Sequence, residues 1–466
     1  MSDSMKNDKD LTIASLAPLI RRKKLSPVEL TSFLLDRIHR LQPAVNAYIT
    51  ITADLARARA RRAEKEIARG DYRGVLHGIP INFKDLFYTR GVRTTAGSKI
   101  LADYVPRANA ALVQRLLDAG CILLGKTNMH EFAFGVTNAN PHYGPVRNPW
   151  DTGRISGGSS GGSAASVVSA QAIASFGTDT GGSIRIPSAA CGCVGFKPTF
   201  ELVSLKGVIP LSFTLDHAGP ITRCVIDAAY LLDAVANRPI GKDIRKGIQS
   251  FRIGLPKQYF FDRIQPGVRK AVLAAAQVFE RLGAEIREVN LAGLDQTAAI
   301  ASEITGAEAL AFHQPWLDDR PEDYGENVRS RLEQSRPTTA TEYIRSLGSR
   351  LDYIQEFDRA LQQVHLLLAP TLPIVAPAIG EPEVAAGRSR ESTLLALLRL
   401  TRPGNLTGLP AISVPCGFSG GLPVGLQLIG RRFDDSSVLR AAYAYEQATT
   451  WHEKFPDLEK DLRSEI

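Results

Sequence analysis

The sequence predicts an α/β protein in which a β-sheet is covered by helices on both faces. From about Val75 onward, apolar runs of strand length alternate with amphipathic segments of helix length. No internal repeat, low-complexity tract or linker longer than a loop interrupts that alternation. A chain of 466 residues, 44% hydrophobic and 22% charged, can bury a large core without disulfides or metals. One large domain spanning residues 1–466 is therefore expected, with a helical N-terminal segment (1–72) packed on a core (73–466).

The elements follow in order. Ser26-Pro27-Val28-Glu29 has the form of a capping box with proline at the first helical position, and it opens an apolar-periodic run through Leu30, Phe33, Leu34 and Ile38. A second helix, Ala53 to Arg69, ends at Gly70. Ile79–Phe83 is an apolar segment leading into Lys84. A helix at Ala108–Ala119 is closed by Gly120, and Cys121–Leu124 then reads as a buried strand. Ala164–Ala174 is helix-like. The rhythm repeats with a strand at Arg252–Leu255, a helix at Gly267–Leu282 and a strand at Ala284–Val289. Leu366–Ala369, Ala411–Val414 and Val424–Ile429 are strands, Pro370–Gly387 is a long loop, and Ser436–Ala448 is a final amphipathic helix.

Composition excludes several function classes. The formal charge is +8, but the basic run Arg57, Arg59, Arg61, Arg62 and Lys65 is interleaved with alanines and acids, as on a solvated helix face. No nucleic-acid-binding motif accompanies it, so no nucleic-acid partner is expected. Five cysteines, mostly in apolar surroundings, read as buried reduced thiols. No cysteine or histidine spacing suits a metal, and no cofactor is expected. Met1 to Asp10 is polar and charged, unlike a secretory signal. The longest apolar stretch, Leu366 to Ile379, is broken by three prolines and cannot span a membrane. A cytoplasmic protein is expected.

Three glycine-rich or lysine-bearing motifs compete for the chemistry. Gly120-Cys121-Ile122-Leu123-Leu124-Gly125-Lys126-Thr127 matches the phosphate-binding loop letter for letter. A phosphate cradle needs a polar loop between strand and helix, whereas these apolar residues belong in a buried strand with Lys126 at its end. Gly157-Gly158-Ser159-Ser160-Gly161 matches a nucleophile elbow, which needs a strand running into the serine. Asn148–Arg154 before it is turn-rich and reads as no strand. What remains is a set of parts for acyl transfer: Lys84, the serines of Ser156–Ser163, and Ser183 in Gly177-Thr178-Asp179-Thr180-Gly181-Gly182-Ser183-Ile184-Arg185. A serine beside backbone amides, with a lysine able to take its proton, can attack a carbonyl and stabilise the resulting oxyanion.

Lys84 precedes Ser159 by 75 residues, and Ser159 precedes Ser183 by 24. With that spacing, the two glycine–serine tracts resemble the amidase signature family. The resemblance runs over most of the chain, through Asn138, Pro141–Asp151, Cys193–Thr199, Asp216–Pro220, Asn405–Ala411 and Gly425–Gly430. It implies a single domain built on a central mixed sheet. It also implies Ser183 as nucleophile, Ser159 as a bridging serine after a cis peptide bond, and Lys84 as the base. The backbone N–H groups of Thr180, Gly181, Gly182 and Ser183 would then face the oxyanion. Burial beside Phe83 would lower the Lys84 pKa, and Asp85 must point elsewhere to allow it. Asp179, Arg185 and Thr178 are read as structural anchors of the loop. Met129, Phe132 and Phe134 are read as core, or else as lining of an acyl pocket that binds substrate. Other walls are expected from Thr127–Thr137, Ala301–Arg336 and Val375–Leu400.

The resemblance leaves two activities. One is a stand-alone amidase, a hydrolase acting on a carboxamide or N-substituted amide; its partners would be a small-molecule amide and, at most, a second copy in a homodimer. The other is the glutamine-hydrolysing component of a tRNA-dependent amidotransferase, its A subunit. The tyrosine-rich segment usual in that component is replaced here by Glu308–Leu317 and Arg320–Gly325. The aspartate expected to hold the glutamine amino group is replaced by the apolar and basic run Leu394 to Arg402. Both differences favour the stand-alone amidase. Arg331 is read as a surface residue unless the substrate is acidic.

Overall fold

The computed structural model describes residues 8–236 and 238–458; most of the polar stretch Met1 to Asp10 lies outside them. Eleven strands form one mixed sheet: β1 (Tyr48–Ile51), β2 (Pro80–Lys84), β3 (Ile122–Thr127), β4 (Ala174–Asp179), β5 (Val194–Lys197), β6 (His217–Thr222), β7 (Arg252–Pro256), β8 (Glu285–Val289), β9 (Leu366–Pro370), β10 (Ala411–Ser419) and β11 (Leu422–Gly430). Their spatial order is β1-β3-β2-β4-β6-β5-β10-β11-β9-β7-β8, and helices flank the sheet. The strands β2, β3 and β4 are mutually parallel, as are β9, β7 and β8, and antiparallel pairs join these two groups. Strands buried on both faces read as continuous apolar runs, which is why β2, β3, β9 and β11 stand out in the sequence.

The helices expected at the N-terminus are Pro27–Val45 and Ala53–Ala68. Ser26 caps the first, its hydroxyl accepting from Val28 N at 3.0 Å and Glu29 N at 3.2 Å. The reciprocal half of the capping box, Ser26 N–H to the Glu29 carboxylate, is not formed among the described residues, and the Ser26 hydroxyl itself donates to Glu64 of the next helix. That second helix buries Ala56, Ala60, Ala63 and Ile67 and turns most of its basic residues to solvent. Gly70, with φ of 97°, follows it in the left-handed region that glycine favours.

Four local expectations are corrected. The N-terminal segment is not wholly helical, since Tyr48-Ile49-Thr50-Ile51 pairs antiparallel with β3 as the sheet edge. Four β-branched and aromatic residues are too short a run to stand out between two helices. Arg147–Asn148 and Asp151–Ile155 form a small hairpin, where the turn residues had suggested no strand. It is separate from the main sheet, so it still does not supply the strand of a nucleophile elbow. The helix after Ser160 ends at Val168, and Ala174 already begins β4. Glu383–Ala386, inside the expected long loop, pairs with Ser389–Ser392. All five cysteines are free and buried. No helix among the described residues is long and apolar enough to cross a membrane.

Candidate active site

Parallel pairing of β2 with β4 brings the carboxyl ends of both strands together, the usual position for a site in such sheets. Lys84 closes β2. Its apolar predecessors hold it inside, with the Phe83 ring 6.2 Å from that of Phe87 and 6.3 Å from that of Phe176. The lysine is fully buried, and Nζ donates to Ser159 Oγ at 2.7 Å and Thr178 Oγ1 at 2.8 Å. Burial brings its pKa down to about 7, against the opposing pull of Asp216 and Asp179. Asp85 does turn away: one oxygen accepts from Thr95 N at 2.9 Å and Thr95 Oγ1 at 2.5 Å, and the other faces Lys126 Nζ at 3.4 Å.

Ser159 sits in the turn between the small hairpin and the helix Gly161–Val168, after a cis Gly158–Ser159 peptide. A side chain at Gly161 would put its Cβ 2.3 Å from Ser156 Oγ, so only glycine allows the turn to close this tightly. Gly161 N–H donates to Asn138 Oδ1 at 3.0 Å, and His130 N–H to the Ser159 carbonyl at 3.2 Å.

Ser183 lies in the loop between β4 and the helix Arg185–Cys191. The two serine loops are tied directly, Ser160 N–H donating to the Ser183 carbonyl at 3.2 Å. The Ser183 hydroxyl has no hydrogen-bond partner among the described residues and lines the cavity. In the same loop the backbone N–H groups of Thr180, Gly181, Gly182 and Ser183 donate to no other group among the described residues. Gly182 has φ of 132°, and a Cβ there would meet Thr401 Oγ1 at 2.2 Å.

A buried ionic network holds this loop. Arg185 Nη2 lies 3.0 Å from Asp179 Oδ1 and donates to Asn405 Oδ1 at 2.7 Å, while Nη1 reaches Gln427 Oε1 at 3.1 Å. Asn405 Nδ2 returns to Asp179 Oδ1 at 2.8 Å. Burial alone would raise the Asp179 pKa, but Arg185 beside it holds the carboxyl well below the usual range. Thr180 Oγ1 donates to Asp216 at 2.5 Å, and burial raises the Asp216 pKa to about 6. Asp179 and Arg185 are thus anchors, as expected from sequence. Thr178 is an anchor of the lysine itself.

A cavity of about 390 Å³ opens beside this loop, lined by Thr180, Gly181 and Ser183 on one side. The opposite walls come from the expected segments, with Phe134, Glu303, Arg331 and Leu398 among them, and from Leu211, Leu215, Arg402 and Leu406 outside those segments. Of the three residues considered for the acyl pocket, only Phe134 lines it. Met129 is fully buried in the core, and Phe132 packs in an aromatic cluster with His313, Trp316 and Tyr324. Arg331 is not a surface residue, for it is half-buried and lies against Phe134 in the cavity wall. Sequence reasoning assigned no role to Asp216, though it stands in a segment of the resemblance, or to Arg402, visible only as a basic residue in an apolar run.

An amine brought near neutrality and bonded to a serine, a second serine at a cavity, and unpaired amides around it are the parts of an acyl-transfer site of the serine–lysine type. The chain belongs to the amidase family, whose model matches residues 29–439. It is 40% identical over 485 residues to the A subunit of a glutamyl-tRNA(Gln) amidotransferase from Geobacter sp. (strain M21), covering 96% of this chain and 98% of the relative. Among solved structures, one described as an amidase superposes with a TM-score of 0.90 at 38% identity, covering 94% of this chain and 99% of that one. Another, from work on the origins of an s-triazine catabolic enzyme, gives 0.89 at 36%, covering 94% and 98%.

Proposed function

We propose that the protein hydrolyses a carboxamide or N-substituted amide through an acyl-Ser183 intermediate, with Ser159 and Lys84 as the proton relay. The observation that carries this is the fully buried Lys84 amine, held by two hydroxyls and no carboxylate, with its pKa near 7. Such an amine has a substantial neutral fraction near pH 7 and can take a proton through Ser159 as Ser183 attacks. The N–H groups of Thr180, Gly181, Gly182 and Ser183 receive the charge on the tetrahedral oxygen. Collapse breaks the C–N bond, and the departing amine takes up that proton from Lys84 through Ser159. Water then attacks the acyl-serine by the same relay, so the cycle consumes one amide and one water and releases an acid and an amine.

A second reading shares this chemistry. Several curated relatives at 39–40% identity are named as the A subunit of a glutamyl-tRNA(Gln) amidotransferase, which weakens the sequence-based expectation of no nucleic-acid partner. Against that reading stands the run Leu394 to Arg402, which offers no carboxylate for a glutamine ammonium where one was expected; the acid in the lining, Glu303, comes from a different segment and accepts from Ser346. Mass spectrometry of the purified chain with a panel of amides tests the shared step. An adduct on Ser183 that disappears in Ser183→Ala, with turnover falling on the order of 10⁴-fold or more, supports it. Undiminished turnover in that variant overturns it. Glutaminase activity that appears only with a co-purifying second protein would select the second reading.

A further inference from the structure

Two arginines and one acid line the cavity beside Ser183. Arg402 runs along the loop that follows β4, its Cγ 3.6 Å from where a Cβ on Gly181 would stand. Its guanidinium has no hydrogen bond or ion pair among the described residues. Arg331 lies over the Phe134 ring, 5.5 Å from its centroid, and gives one N–H to the Phe134 carbonyl at 2.9 Å. The rest of its fork is uncommitted. Burial, and for Arg402 the nearby Arg331 as well, brings both groups down to about 10, so both stay charged at neutral pH. Glu303 accepts a hydrogen bond from Ser346 and forms no ion pair with either arginine among the described residues.

Half-buried cations without a counter-ion are costly, and an anion entering the cavity would relieve that cost. Leu394, Leu398 and Leu406 supply apolar lining to the same cavity, and the two guanidinium groups are the cationic donors in that lining. Two forks match a planar carboxylate.

We propose that Arg331 and Arg402 form an anion subsite and that the amide cleaved at Ser183 is small and net anionic. Its carboxylate would rest on the two guanidinium groups while its carbonyl faces residues 180–183. This rests on Ser183 being the acylated residue, so labelling of Ser183 by a fluorophosphonate is measured in the same samples.

The test compares kcat/KM for malonamate, succinamate and glutaramate with uncharged amides of matching length and with glutamine. At least one anionic amide should exceed its uncharged partner by about a hundredfold, as expected for charge-assisted contacts. Arg402→Met should reduce that ratio about tenfold or more, and Arg402→Lys should recover part of it. A ratio near one, an unchanged ratio in Arg402→Met, glutamine preferred to every anionic amide, or no turnover of any anionic amide overturns the subsite. If Ser183 is labelled in those cases, the subsite alone fails; if it is not labelled, the acyl-serine reading fails with it.

Discussion

Lys84 and Lys126 are both fully buried lysines near the carboxyl ends of neighbouring parallel strands, β2 and β3. Their surroundings make them opposites. Lys126 Nζ donates to the Phe87 carbonyl and to Thr94 Oγ1, both at 2.7 Å, and has the Asp85 carboxylate at 3.4 Å. Lys84 has two hydroxyls and no ion pair among the described residues. The carbonyl and the carboxylate are acceptors only, and the Thr94 hydroxyl is itself committed to the Val92 carbonyl at 3.2 Å, which keeps Lys126 in service to the fold. Hydroxyls can both accept and donate, so they can pass a proton to Lys84 and back. Burial alone therefore does not make a lysine a base; the acceptors around it decide.

Substitutions that break this contrast rank by size. Lys84→Met should lower turnover on the order of 10⁴-fold or more while leaving the denaturation midpoint equal or higher, since a buried amine is replaced by an apolar chain of similar volume. Lys126→Met should do the reverse: stability falls by about 3–5 kcal/mol because Asp85 is left buried without its cation, and the folded fraction keeps its turnover. Denaturant titration beside a turnover assay checks both, and loss of activity at full folding in Lys126→Met would erase the distinction. Thr178→Val removes one acceptor of the Lys84 amine, and kcat should fall about tenfold.

The smallest effect is on pH dependence. A base must be unprotonated, so kcat/KM should rise with pH through an acidic limb near 7, where Lys84 titrates. Asp216 favours the charged amine, so Asp216→Asn should move that limb to lower pH. A limb that stays in place would mean that Asp216 acts only through its bond to Thr180.

Much of the site was legible because its chemistry is local in sequence. The glycines around Ser159 and Ser183 mark tight backbone, and the apolar run before Lys84 marks a buried strand end. The rejection of the phosphate-loop match also holds, because Ile122–Thr127 is a strand buried along its whole length. What escaped was set by packing between distant segments. Phe132 and Phe134 are two residues apart, yet one faces an aromatic cluster and the other the cavity, since residues 132 and 133 have φ of 47° and 59° and turn the chain between them. Asp216 meets Thr180 only because β6 pairs with β4, and Arg402 reaches the cavity from a run whose sequence marked a missing aspartate but not where its own side chain would lie. The edge strand β1 was hidden by its brevity.

The ionic network around Asp179 has a consequence for how the protein is made. Arg185 makes hydrogen bonds to partners as far as 242 residues ahead of it in the chain. A nascent chain therefore carries Lys84, Ser159 and Ser183 long before it carries the Asn405 and Gln427 that fix the loop around Ser183. On the ribosome the three residues exist without their geometry, and the chain becomes competent only as its last strand is laid into the sheet.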